Sequence, residues 1–309
     1  MQNVENKQKK VKQNTIDQYK ARYKYLLDNK VVVTGTQYNK IHEKLMTLFP
    51  NKNSRKTYIS SIIGLDNLGE IKLTKNTKAF FKREIVKLNE TLEKENAKQT
   101  MDKKHEKNWL TLQEIENIKK ELDQQVSICS KIPSNNTAWL YQKWIVFYLY
   151  TQENEPLRND YIDAIVSIKK TKKNQYNNKT GEFFIREFKT DKTNPMIYFK
   201  TSDIFIKRFN ELLQIRKKLQ VKLNFVLLNK TLTGPLSNPK MTEFLNSIFH
   251  GKKIGSTMLR RIYLSHHYPV TENDTLEKRK KTASQMGNST AIQHVYIKKQ
   301  VSSKQDGNV

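Results

Sequence analysis

Hydrophobic residues in the first hundred positions recur at the spacing of helices. Two runs repeat at steps of three and four: Ile16, Tyr19, Tyr23, Leu26, and then Tyr38, Ile41, Leu45, Leu48. Such steps place apolar side chains on one helical face. Pro50 ends the second run, Ser54 is a candidate N-cap for a third helix, and residues 77–92 predict a fourth. We therefore expect a small domain of short amphipathic helices.

Residues 93–107 lack apolar periodicity and are densely charged, which predicts a linker. The next helix begins at a capping-box pattern formed by Thr111 and Glu114. Residues 138–150 are apolar nearly all round, as in a helix at the centre of a larger domain. Helical periodicity returns in three later segments: 204–213, 241–249 and 257–264.

A β-type pattern appears between these helices. Segments 182–189 and 196–199 flank residues 190–195, which predicts a hairpin with two lysines at its tip. The predicted fold class is therefore mainly α with a small antiparallel β-sheet. The predicted division is a disordered basic tail at 1–13, a small helical domain at 14–104, a larger domain at 105–298 and a polar tail at 299–309.

The charge balance indicates the chemical class of the binding partner. Lys and Arg number 57 against 30 Asp and Glu, a net charge of +27, while 36% hydrophobic residues suffice for a packed core. A polyanion is the expected partner, with nucleic acid first and an acidic membrane surface second. The most apolar stretch, 139–150, is shorter than the roughly 18 residues of a membrane span, so we expect no membrane partner.

Cysteine use and motif absences narrow the chemistry. Cys129 is the single cysteine, so neither an intramolecular disulfide nor a Cys-based zinc site is possible, and we expect an intracellular protein. No signal peptide is predicted at the N-terminus. Walker-type, HExxH and GxSxG signatures are absent, and residues 251–256 depart from the order of a phosphate loop. We therefore expect no cofactor and no metal.

Three cations and one tyrosine of the larger domain stand in a distinctive order. Arg158 follows the apolar helix, Lys189 ends a predicted strand, Arg260 lies in segment 256–263, and Tyr296 closes segment 286–296. Each alone has an ordinary structural explanation, such as a solvated cation or a packing ring. Their order along the chain and their local contexts change that interpretation.

In this order the residues resemble the tyrosine recombinase/integrase family, in particular its divergent members in large DNA viruses, virophages and mobile elements. Leu259 and Arg260 match the Leu-Arg of the family's His-x-Leu-Arg-His box. Segment 286–289 matches its Leu-Gly-His-Ser box, and Tyr296 follows eight residues after Asn288. The sequence departs from the family at Thr257 and Asn288, which replace the two usual histidines, and at Arg261, which replaces the histidine after the arginine. His266, His267 and His294 lie nearby, but none has a matching spacing.

The resemblance implies an N-terminal helical core-binding (SAM-like) domain and a catalytic tyrosine recombinase domain. It implies a site-specific recombinase or integrase that cleaves and rejoins DNA strands through a 3′-phosphotyrosyl intermediate. Tyr296 would be the nucleophile, because a tyrosine oxygen can attack phosphorus without a metal. Arg158 and Arg260 would be the phosphate clamps, because guanidinium groups can bind the phosphate oxygens. Lys189, with Lys192 as its alternate, would be the general acid that protonates the leaving oxygen, and Asn288 would be a hydrogen-bond donor. Loss of both histidines predicts a slower enzyme.

Three alternatives remain open: a type IB topoisomerase-like enzyme, a catalytically impaired DNA-binding protein with the recombinase fold, and a basic structural protein. The expected partner is double-stranded DNA, contacted by the basic clusters 169–173, 216–218 and 278–281. Self-association on DNA as a dimer or tetramer is expected as well. The expected compartment is the host cytoplasm, a viral factory or the nucleus, and cluster 278–281 also resembles a nuclear localisation signal.

Overall fold

The computed structural model describes residues 11, 13–31, 38–129, 132–192, 196–268 and 275–299. The chain divides into two compact units, Met1–Lys98 and Gln99–Val309. Except for Val11, Gln13 and Lys299, the two predicted tails lie outside the described residues. Within the described chain, no helix has the length and apolar character required to cross a membrane.

The first unit contains the four helices that the periodicity predicts. They are α1 (Gln13–Asp28), α2 (Tyr38–Leu48), α3 (Lys52–Asn67) and α4 (Lys75–Ala97). The core of the unit includes Leu26, Ile41, Leu45, Ile62 and Phe81, which are all buried.

Two boundaries in this region differ from the prediction. The N-cap of α3 is Asn51 rather than Ser54, because the Asn51 side chain accepts a hydrogen bond from the Ser54 backbone N–H. Helix α4 continues to Ala97, and a short helix begins at Lys103, so much of the predicted linker is helical. Lys and Glu have good helix propensity, and an exposed helix needs no apolar stripe along its last turns.

The second unit is built around one buried helix. Its helices are α5 (Lys103–Asn108), α6 (Leu112–Cys129), α7 (Asn135–Thr151), α8 (Asp203–Lys218), α9 (Asn238–Ile248), α10 (Ser256–His267), α11 (Leu276–Gln285) and α12 (Thr290–Tyr296). Helix α7 packs against α6, α8, α9 and α10, which explains why its sequence is apolar nearly all round. The predicted capping box starts α6: the Thr111 hydroxyl accepts from Glu114 N–H, and the Glu114 carboxylate accepts from Thr111 N–H.

The second unit also contains a four-stranded sheet in the order β1 (Ile165–Val166), β2 (Gln175–Asn177), β3 (Glu182–Ile185) and β4 (Ile197–Lys200). A mainly helical fold with a small sheet is therefore confirmed. The sheet is mixed rather than wholly antiparallel, because β1 pairs with β2 in parallel. The predicted hairpin is the antiparallel pair β3–β4.

Strand β3 ends at Ile185, before the predicted end at Lys189. The reason is Asn174, whose side-chain oxygen accepts hydrogen bonds from the backbone N–H groups of Arg186 and Glu187. These two donors are therefore not available to a neighbouring strand. Lys189 consequently lies in a turn rather than at the end of a strand.

Arg216 is not a surface cation, which corrects the prediction for cluster 216–218. Its side chain is 2% exposed. It donates hydrogen bonds to the backbone oxygens of Phe225 and Val226 and to the Gln142 side chain. The guanidinium therefore ties α8 to α7 and the following segment, and only Lys217 and Lys218 of that cluster are exposed.

Candidate functional site

Arg260 is a fully buried cation on the inward face of α10. Its side chain is 0% exposed, and its three guanidinium nitrogens have no hydrogen-bond partner among the described residues. Burial, together with the nearby Arg158 charge, lowers the pKa of Arg260 from 12.5 to about 10. A buried charge without hydrogen bonds is costly. A buried group with a lowered pKa is a candidate for a functional site.

Arg158 lies beyond the end of α7 and is fixed in the same region. Its Nη1 donates to the backbone oxygen of Gly287, and its Nη2 donates to Oδ1 of Asn288, both at 2.9 Å. The Tyr150 hydroxyl donates to the Arg158 backbone oxygen at 2.5 Å. Arg158 is thus held against the loop between α11 and α12.

That loop depends on a glycine and presents a buried amide. Gly287 has φ +60, and a Cβ there would lie 3.2 Å from Cδ2 of Phe188, so both conformation and space favour glycine. Asn288 is 4% exposed, and its backbone N–H donates to Ala283 O at 2.7 Å. The Asn288 Nδ2 has no hydrogen-bond partner among the described residues. Like the Arg260 guanidinium, it is therefore a buried donor without an acceptor, and it lies beside Arg158.

Tyr296 is the last residue of α12 and completes the group. Its half-buried ring lies 5.4 Å from the guanidinium carbon of Arg260 and 5.9 Å from that of Arg261, measured to the ring centroid. Helix α12 starts where the Ser289 side chain accepts from Ile292 N–H, and it packs against α10. The structure therefore brings four sequence-predicted site residues together: Arg158, Arg260, Asn288 and Tyr296.

Lys189 borders this group without entering it. Its side chain is exposed, but both neighbours contact the loop. The ring of Phe188 lies beside Gly287, and the Thr190 hydroxyl donates to Gly287 O at 3.0 Å. Lys192 is also exposed. Thr257, the first of the two positions predicted to replace a histidine, is exposed at the start of α10.

Sequence reasoning missed two features of the site. Asp160 faces both arginines: burial raises its pKa, while the charges of Arg158 and Arg260 oppose the rise. Arg261 contacts His105, which comes from the segment predicted as a linker. No spacing in the sequence connects positions so far apart, so only the fold reveals this contact. Among the described residues, no group of three His, Cys, Asp or Glu side chains could hold a metal ion.

The comparisons with known proteins include a likeness to a solved structure. No family model matches the chain, and no curated protein matches it significantly. The crystal structure of XerA recombinase resembles it with a TM-score of 0.45 and 8% sequence identity, covering 93% of this chain and 95% of that one. We draw no functional conclusion from this likeness.

Proposed function

We propose that this protein breaks and rejoins DNA strands as a site-specific recombinase or integrase, with Tyr296 as the nucleophile. One observation carries the proposal. The buried guanidinium of Arg260, which has no hydrogen-bond partner among the described residues, lies next to Arg158 and against the ring of Tyr296. A site that combines two guanidinium groups, a free amide donor and a phenol suits a phosphate diester.

The reaction exchanges one phosphate ester for another. The Tyr296 oxygen attacks phosphorus and its proton leaves, while the bond from phosphorus to the 5′-oxygen breaks and that oxygen takes up a proton. The product is a 3′-phosphotyrosyl link with a free 5′-hydroxyl. Because an ester bond is kept, the reverse reaction can join the same strand or another one.

The arginines act on the charge that develops in the transition state. Their planar guanidinium groups can donate paired hydrogen bonds to the non-bridging phosphate oxygens. Arg158 is already oriented by Gly287 and Asn288, so little reorganisation is needed when a phosphate binds. The Nδ2 of Asn288 supplies a further donor. Each preorganised donor of this kind contributes roughly 100- to 1000-fold in rate.

Proton delivery to the 5′-oxygen is assigned to Lys189, with Lys192 as the alternate. The turn that contains Lys189 contacts Gly287 through Phe188 and Thr190. Gly287 also accepts a hydrogen bond from Arg158, so Lys189 belongs to a segment next to that arginine. Asn288 can donate a hydrogen bond but cannot transfer a proton, and Thr257 is exposed. A slow enzyme is expected.

Binding of double-stranded DNA follows from charge. Groups of exposed lysines in the second unit include Lys169, Lys170, Lys172, Lys173, the pair Lys217, Lys218, and Lys278, Lys280, Lys281. Lysines that neutralise phosphates release counterions, so affinity should fall steeply with salt. In this proposal residues 14–104 are the core-binding domain, residues 105–298 are the catalytic domain, and dimers or tetramers assemble on DNA within a cell.

A non-catalytic DNA-binding protein is the second candidate. It is favoured by the absence of a histidine at positions 257 and 288, because an amide at 288 cannot replace histidine in proton transfer. A type IB topoisomerase-like enzyme would use the same four residues. Strand transfer between two DNA molecules distinguishes a recombinase from a topoisomerase, which reseals the strand it cut.

The test is a nicked suicide substrate, from which the cleaved end diffuses away and leaves the protein attached. The wild-type protein should form a covalent adduct that Tyr296→Phe abolishes, while Arg158→Ala and Arg260→Ala reduce it about 100-fold or more. Tyr263→Phe, a half-buried tyrosine of α10, is the matched control and should retain the adduct. Absence of an adduct from the wild type, with normal DNA binding, would favour the non-catalytic candidate.

A further inference from the structure

Arg261 is a second guanidinium group beside Tyr296. It follows Arg260 in α10, and consecutive helical residues point about 100° apart. Arg260 is therefore buried in the core, while Arg261 is half-buried on the side towards α12. Both guanidinium carbons still lie within 6 Å of the Tyr296 ring centroid, at 5.4 and 5.9 Å. Such distances are within the range of cation–π contacts.

A histidine from a distant part of the chain holds this arginine. Nη1 of Arg261 contacts Nε2 of His105 on α5. On the other edge of the imidazole, Nδ1 lies 2.8 Å from Oδ1 of Asp102. Asp102 is itself fixed, because it caps α5 by accepting a hydrogen bond from His105 N–H at 2.7 Å.

The roles of the two ring nitrogens follow from these contacts. Arginine nitrogens only donate, so Nε2 of His105 must accept from Arg261. A neutral histidine that accepts at Nε2 has its proton on Nδ1. That nitrogen lies close to the Asp102 carboxylate but has no hydrogen-bond partner among the described residues, so the contact between the two is electrostatic. The contact with Arg261 therefore requires the neutral imidazole.

We propose that Asp102 and His105 form a positioning pair that holds Arg261 against the nucleophile Tyr296, where Arg261 serves as a third guanidinium group for the phosphate. The inference rests on the proposed function of Tyr296. In this account Arg261 contacts the reacting groups, whereas His105 and Asp102 act through Arg261. The pair lies outside the sequence motifs that contain the other site residues.

The charges that surround His105 predict a loss of positioning in acid. The groups that face it are Asp102, Arg261 and Lys298. Burial lowers the pKa of His105 below 6.5, and the Arg261 and Lys298 charges act in the same direction against the opposing Asp102 charge. A histidine with a lowered pKa supports the native arrangement fully above 6.5 and loses this support as pH falls towards its pKa in the fold. Protonation removes the Nε2 lone pair and places a second cation against Arg261.

Single-turnover cleavage of the suicide substrate as a function of pH tests the proposal. His105→Phe should lower the rate about 10- to 100-fold, since displaced catalytic groups cost rates of that order. His105→Gln keeps an acceptor for Arg261, so it should stay within a few-fold of the wild type near neutral pH and lose the decline below pH 6.5. His294→Gln, an exposed histidine two residues before Tyr296, is the control and should keep the wild-type profile.

An NMR titration of the histidine ring protons tests the contact without activity. In Arg261→Met the pKa of His105 should rise, because a neighbouring positive charge is gone. An unchanged His105 titration in Arg261→Met overturns the contact. A wild-type adduct with an unaltered rate in His105→Phe overturns the positioning role alone. No adduct from the wild type contradicts the proposed function and, with it, the catalytic role of Arg261.

Discussion

Arg260 and Arg216 are two buried arginines whose surroundings predict opposite effects of the same substitution. Arg260 is 0% exposed and has no hydrogen-bond partner among the described residues, whereas Arg216 is 2% exposed and donates three hydrogen bonds to oxygen atoms. If Arg260 serves to bind an anion, its burial without a hydrogen-bond partner lowers the free energy of unfolding of the protein. Replacement by methionine, which is apolar and unbranched, removes the charge and retains most of the volume. We therefore expect Arg260→Met to stabilise the second unit and Arg216→Met to destabilise it.

The magnitudes follow from the burial of each charge. Burial lowers the pKa of Arg216 to about 10, and burial with a contribution from Arg158 lowers that of Arg260 to about 10. A shift of this size from 12.5 corresponds to about 3 kcal/mol against the charged form at neutral pH. Each hydrogen bond to a charged group stabilises the fold by about 1.5–3 kcal/mol. Of the two arginines, only Arg216 makes such bonds with the described residues. Arg260→Met should thus raise the free energy of unfolding by about 1–3 kcal/mol, and Arg216→Met should lower it by about 2–5 kcal/mol.

Tryptophan fluorescence can measure these changes in the intact chain. The three tryptophans are Trp109, Trp139 and Trp144, so all of them report on the second unit. Urea unfolding followed by this signal gives the free energy of unfolding of that unit at constant m-value. The same preparations are then tested for adduct formation, which Arg260→Met should abolish although it is the more stable protein.

The reasoning is refuted if Arg260→Met lowers the free energy of unfolding by 2 kcal/mol or more, as Arg216→Met is expected to do. Arg260 would then be a structural cation that is stabilised by the Asp160 carboxylate and the Tyr296 ring. Retained adduct formation in Arg260→Met would contradict its role as a phosphate clamp even if the variant is stabilised.

Two further predictions concern the amide beside Arg158 and the lysines of α11. Asn288→Asp keeps an oxygen for Arg158 but replaces the free Nδ2 donor by a negative charge, so adduct formation should fall about 100-fold or more without loss of stability. Asn117→Asp, at an exposed position on α6, is the control and should have no effect. A normal rate of adduct formation in Asn288→Asp would show that Asn288 does not belong to the site. The double variant Lys280→Gln, Lys281→Gln should make the slope of the log binding constant against log salt concentration shallower by up to about 2. Fluorescence anisotropy on duplex DNA measures this slope. Lys240 pairs with Glu243, so Lys240→Gln is the control and should leave the slope unchanged. A slope equal to that of the wild type would exclude α11 from the DNA interface.

Much of the fold could be predicted because its signals are local. The periodicity of α1 and α2 and the capping box at Thr111 each depend on residues within a few positions of one another. The end of β3 could not be predicted, because it is set by Asn174, which lies a dozen residues earlier in the chain. The parallel strand β1 has two residues, too few to show a period.

The site divides in the same way. The sequence resemblance groups four residues by their order along the chain, and the structure places them close together: Arg158, Arg260, Asn288 and Tyr296. The burial of Arg216 was missed because its neighbours Lys217 and Lys218 make the segment read as a surface cluster. The contact between Arg261 and His105 joins positions 156 residues apart and has no sequence motif. Tertiary packing alone determines which cations are exposed, which donate hydrogen bonds to backbone oxygens and which have no hydrogen-bond partner among the described residues.

Mass-spectrometric mapping of the DNA-linked residue can identify the nucleophile. The suicide-substrate adduct of the wild-type protein is digested with nuclease and protease, and the peptide that retains a nucleotide is sequenced. We expect the nucleotide to be attached through phosphate to the oxygen of Tyr296. Attachment at another residue, such as the neighbouring Tyr263 or Tyr268, or a protein that binds DNA and never becomes linked to it, would contradict the account.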